Sequence, residues 1–283
     1  MKEFRIIDKK ELEGNFSTIK EEELTTRVSD IPSGKKALVF DGEKIASIVD
    51  NDTYLYPHSS LVSIMYSIFK ENFENVANEF YLISEDSLRL DAYFKFSDSL
   101  EIVSDEVINI GLAYSSDLST GNVRLWSIGW NKDIPIISFL PKISLRRGKR
   151  NIPLDPDVID IGVVKLKDKF QEISISIWKS FLNDLIDESA IISTIDYLKI
   201  GKRLRENLMD GVIKNLLEKD KLNKWDLFNG LMFFVWNFVP YKNVDILYSK
   251  ISKEFSGRNL CYHGAPHRYI VRKAFDFGGC DGR

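Results

Sequence analysis

The chain has 283 residues, and its 44% apolar and 29% charged content is ordinary for a water-soluble folded protein. No run of about 18 uncharged apolar residues occurs, which excludes a helical membrane span, and the charged start Met1-Lys2-Glu3-Phe4-Arg5 opens into no apolar signal region, so a cytoplasmic setting is expected. Net charge is −3, from 39 Lys and Arg against 42 Asp and Glu, which speaks against a protein that coats its whole surface with nucleic acid.

Residues 1–34 are acidic and lysine-rich, with Glu21, Glu22 and Glu23 in a row. Their few apolar residues follow neither the helix nor the strand period, so they read as a partly mobile lead-in. Pro32-Ser33-Gly34 then punctuates the start of a β-rich domain over 35–165. Residues 37–40 and 44–49 flank Asp41-Gly42, a hairpin signature. Pro57-His58-Ser59-Ser60 opens a helix whose Leu61, Ile64, Met65, Ile68 and Phe69 recur at i, i+3, i+4, i+7 and i+8. Two strand pairs follow, 80–83 with 88–96 and 107–114 with 122–130. Pro153-Leu154-Asp155-Pro156 reads as a turn that enters a strand over the apolar run 158–164.

The period then changes to that of helices, over a region spanning 166–256. Ile177, Trp178, Phe181, Leu182, Leu185 and Ile186 share one helical face, and Leu204, Leu208, Val212, Leu216 and Leu217 repeat the spacing. The most apolar stretch, 227–239, is ended by Pro240. A Cys- and His-containing tail occupies 257–283. Strands first and helices afterwards predict an α+β fold, an N-terminal antiparallel sheet with one crossing helix followed by a helical C-terminal half.

Catalytic signatures are missing from the sequence. No Gly-x-Gly-x-x-Gly follows a strand, and no Gly-x-Ser-x-Gly or His-Glu-x-x-His occurs. Gly34-Lys35-Lys36 lacks both the first glycine and the hydroxyl residue of a phosphate loop. Pro156-Asp157 lacks the acid that a metal-dependent nuclease places two residues before a strand lysine, since Val163 precedes Lys165. The reading is therefore non-catalytic, with an enzyme left in third place.

Binding chemistry is concentrated instead. Lys142, Arg146, Arg147, Lys149 and Arg150 put five positive charges and no acid into residues 142–150. In a strand, Arg124, Trp126, Ile128 and Trp130 point to one face. Trp130, nearer the basic segment, is the tryptophan expected to be exposed, where its ring would stack on bases while Arg124 and the cluster follow the phosphates. The competing reading makes both tryptophans core and the cluster a solvated loop.

Tyr54-Leu55-Tyr56-Pro57-His58-Ser59-Ser60-Leu61, the stretch 107–116 followed by Asp117 and Gly121, and Trp225-Asp226-Leu227-Phe228-Asn229-Gly230 resemble, in order and spacing, segments of the DUF932 family of phage/plasmid-like proteins. After Trp126 the chain departs from the family, reading Ser-Ile-Gly-Trp-Asn-Lys where Arg and Cys-Asn-Gly are usual. The resemblance implies an accessory protein of a mobile element or archaeal genome, acting around DNA replication or recombination. A sheet crossed by a helix, with a basic hairpin, is also similar in architecture to Rad52-type single-strand annealing proteins. Single-stranded DNA binding or annealing by a homo-oligomer, with no membrane partner, is the function so implied. The alternative is a non-catalytic structural or protein-interaction factor of a mobile element.

Both cysteines and two of the three histidines fall in the tail, as Cys261, His263, His267 and Cys280. Four such groups are the complement of a structural zinc site, although Cys-x-His is not a usual finger spacing. A Cys261–Cys280 disulfide and no bond at all remain open beside it.

Overall fold

The computed structural model describes residues 4–7, 12, 19–26, 29–40, 44–52, 57–84, 87–103, 106–146 and 154–257. Two antiparallel sheets and a helical C-terminal half make it an α+β fold, as the change of period predicts. The large sheet holds β1 (Phe4–Ile7), β5 (Val76–Ser84), β6 (Arg89–Val103), β7 (Glu106–Asp117), β8 (Asn122–Asn131), β9 (Ile134–Ile136) and β10 (Ile143–Arg146). Its order is β1-β5-β6-β7-β8-β10, and β9 pairs with the far end of β8. The small sheet is β2 (Ile19–Thr26), β3 (Ser29–Phe40) and β4 (Lys44–Asp50).

The segment 1–34, read from sequence as a partly mobile lead-in, supplies β1, β2 and the first half of β3. These strands carry little apolar periodicity of their own. β1 forms by pairing Phe4–Ile7 against β5, and β2 by pairing with β3. Long-range pairing outweighs local pattern there.

One face of the large sheet packs under helices. α1 (His58–Asn72) buries Leu61, Val62, Met65, Ile68 and Phe69, the stripe read from the sequence. Phe69 meets Phe94 edge-on at 4.9 Å, and Phe73 stacks on Phe96 at 3.8 Å. α2 (Pro156–Lys169) lies beside α1 and replaces the strand expected over 158–164. The Asp155 carboxylate accepts from the Asp157 amide at 3.0 Å, and Pro156 sits at the first helical position with its φ already set. That cap starts a helix whose inward residues are Ile159, Gly162, Val163 and Leu166, at helical spacing.

α2 runs through a π-turn (Phe170–Ser174) into α3 (Ile175–Asn183), which turns Trp178 and Phe181 inward. Leu185 and Ile186, assigned to that face from spacing, lie past its end; Leu185 is 67% exposed and forms an isolated bridge with Asn223. α4 (Glu188–Leu198), α5 (Lys202–Leu208), a second π-turn (Met209–Ile213) and α6 (Lys214–Leu217) follow, with Leu217 exposed rather than on the inner face. α7 (Lys224–Phe238) begins with a reciprocal cap between Asn223 and Asp226. α8 (Tyr241–Ser256) comes after Pro240. Among the described residues no helix is long and apolar enough to cross a membrane.

Tyr81 and Tyr114, on the helix-covered face, are fully buried, and the Tyr114 hydroxyl has no hydrogen-bond partner among the described residues. Burial raises both phenol pKa values, with the Glu79 charge adding to the effect. An unpaired buried hydroxyl costs free energy that a phenyl ring avoids. Tyr114→Phe is therefore expected to leave stability unchanged or raise it by about 1 kcal/mol in urea unfolding. A loss of that size would show that the hydroxyl is bonded in solution.

Candidate nucleic-acid interface

The opposite face of the large sheet carries the residues singled out for binding. β8 turns Arg124, Trp126, Ile128 and Trp130 to that side, as a period of two requires. Trp126 and Trp130 are only 4% and 1% exposed. Phe80 stacks on Tyr93 at 4.7 Å, Trp126 meets Tyr93 edge-on at 6.2 Å, and Trp236 from α7 joins the same cluster. These rings form a second core. Trp130 lies across Gly111, where an added Cβ would stand 2.4 Å from its Nε1. The expectation that Trp130 is exposed for base stacking is thereby corrected: the strand pattern gives the face, and tertiary packing encloses it.

Lys142 is drawn partly into this core. Its Nζ stands 3.9 Å from the centroid of the Trp126 ring. Burial pushes its pKa down to about 8, against the pull of Asp91 and Asp245. Arg124 is exposed on β8, and no carboxylate of the described residues pairs with it. Arg146 ends β10, opposite Val123. The structure thus brings Arg124, Lys142 and the Arg146 backbone to the β8–β10 edge. Arg147, Lys149 and Arg150 lie outside the described residues, as do the tail ligands Cys261, His263, His267 and Cys280.

Sequence reasoning missed the charged pair whose field acts on Lys142. Arg89 Nε and Nη2 donate to the two Asp91 carboxylate oxygens at 3.0 and 2.9 Å. Asp91 is 1% exposed, and burial pushes its pKa up to about 6, with Arg89 opposing. The signal was present in Arg89-Leu90-Asp91, an opposite-charge pair two apart in an apolar strand and hence on one face.

Other polar sites do not suit a polyanion. His58 is buried, with Nε2 3.2 Å from the Ser87 carbonyl, and burial lowers its pKa to about 4, so it stays neutral at physiological pH. A groove of about 420 Å³ between α1 and α2 presents Glu71, Asp157 and Asp160, the wrong sign for phosphate. Among the described residues no group of three His, Cys, Asp or Glu side chains is placed to hold a metal. No family model, curated protein or solved structure matches this chain.

Proposed function

We propose that the chain is a non-catalytic protein that binds single-stranded DNA along the β8–β10 edge and acts in annealing, as a homo-oligomer. The observation that carries this reading is Arg124, exposed without an acidic partner among the described residues, beside Lys142 and a strand that leads into Arg146-Arg147-Gly148-Lys149-Arg150. With both tryptophans enclosed, binding is led by phosphates rather than by stacking. The preference for single strands, and the setting in a mobile element or archaeal genome, rest on the family resemblance.

Titration of labelled single- and double-stranded DNA at several salt concentrations tests the reading. Affinity should fall steeply with salt, each neutralised phosphate on a single strand adding about −0.7 to the slope of log K against log salt. Arg146→Ala with Arg147→Ala should weaken binding on all sequences and flatten that slope while leaving the melting temperature unchanged. Absence of binding at low salt would overturn the reading.

One observation favours the interaction-factor alternative. Val158, Ile161 and Val164 on α2 are 44%, 53% and 38% exposed and form an outward apolar strip. The tail keeps a structural zinc within the proposal. About one zinc per chain, lost on Cys280→Ser, is the expected elemental analysis; two free thiols without metal would reject zinc and the disulfide together.

A further inference from the structure

Ser115 on β7, Arg124 on β8 and Ser144 on β10 are direct cross-strand partners, so the three side chains stand in one row on the same face of the sheet. Neighbouring side chains in such a row have Cβ atoms about 5 Å apart. A planar guanidinium fork therefore stands between two hydroxyl side chains. Neither the Arg124 nor the Ser115 side chain has a hydrogen-bond or ion-pair partner among the described residues, and Arg124 is exposed. The inner strands β7 and β8 hold Ser115 and Arg124, and the edge strand β10 brings Ser144 beside them by its pairing with β8.

We propose that Ser115, Arg124 and Ser144 form a seat for one phosphate group, taken from the backbone of a nucleic acid. A fork donor with hydroxyls on either side matches the oxygens of a tetrahedral oxyanion, and Arg supplies the bidentate contact that Lys cannot. Lys142, which covers the Trp126 ring one row further along, adds a second positive charge beside the seat. The carboxylates on this face do not cancel it. Asp91, the direct cross-strand partner of Ser115 on β6 and so the next side chain in the same row, is tied by two nitrogens of the Arg89 fork. Asp117 accepts from the Ser119 amide and hydroxyl at 2.9 and 2.6 Å. Asp245 of α8 acts on Lys142. The seat deepens the single-stranded DNA reading and rests on it for the source of the phosphate, but its chemistry is that of any phosphate.

Two probes separate those sources: inorganic phosphate, followed by amide shifts of isotope-labelled protein, and a short labelled oligothymidylate, followed by anisotropy at low salt. Inorganic phosphate is expected to shift the amides of Ser115, Arg124 and Ser144 together. Arg124→Lys, which keeps the charge and loses the fork, should weaken oligonucleotide binding about tenfold, as should Ser115→Ala with Ser144→Ala, with unchanged melting temperatures. If the oligonucleotide binds equally well to both variants, the seat is overturned and the β8–β10 reading survives. Phosphate shifts confined to the three residues without oligonucleotide binding would support the seat and overturn the DNA reading. Silence to both probes overturns both.

Discussion

Trp130→Ala is expected to lower the free energy of unfolding by about 3–5 kcal/mol, the loss typical of a deeply buried indole. Its ring is enclosed among Phe80, Ile128 and Trp236 and spans the bare backbone of Gly111. The same contact makes Gly111→Ala severe. A Cβ there would stand 2.4 Å from Trp130 Nε1 and 2.7 Å from the Phe94 carbonyl oxygen. The carbonyl belongs to the neighbouring strand, so the clash cannot be relieved by rotating a side chain. Overpacking of this kind typically costs about 1–3 kcal/mol, and here the sheet itself must shift. Urea unfolding measures both. If Trp130→Ala loses less than about 1 kcal/mol, the ring is not core and base stacking returns as a candidate.

The sequence was most legible where local pattern and packing agree. α1 follows its apolar period because one side of it meets the core, and the strand pairs of β5 to β8 follow their apolar runs because both of their faces are buried. Failures have separate physical causes. Four consecutive residues suffice for β1 only because β5 offers a paired edge, which no local window contains. Over 158–164 a continuous apolar run fits strand and helix alike, and the Asp155–Pro156 cap decides for helix. At the candidate site, β8 displayed which side chains share a face, yet not what covers them. Trp126 and Trp130 therefore moved from interface to core, while Arg124 stayed outside. Ser115 and Ser144 drew no notice from sequence because their neighbour across the strands is set by register alone.

A second large effect is expected from acidity, through Asp91. Its folded-state pKa is raised to about 6 by burial, from an ordinary value near 3.8. Arg89, Lys142 and Asp245 are the charged groups that act on it, and burial outweighs the two cations. Below the ordinary value both folded and unfolded chains hold the proton, and the contribution to stability is fully present. Between about pH 4 and pH 6 the unfolded chain releases the proton while the folded one keeps it, so stability falls as pH rises through this window. A shift of that size corresponds to about 3 kcal/mol. Lys142 acts with the opposite slope at higher pH. Its folded pKa is lowered to about 8, so stability recovers as pH climbs from there toward the ordinary lysine value. Around neutrality both groups are charged in a site that burial makes unfavourable for each, which is the condition under which the β8–β10 edge keeps its cation. The comparison to make is urea unfolding of the native protein and of Asp91→Asn from pH 4 to pH 7. Asn keeps the shape and an acceptor for Arg89 but cannot ionise, so the gap between the two proteins should move by about 3 kcal/mol in favour of the variant as pH rises. A gap that stays constant over that range would mean that the Arg89 fork holds the Asp91 carboxylate at its ordinary acidity despite its burial.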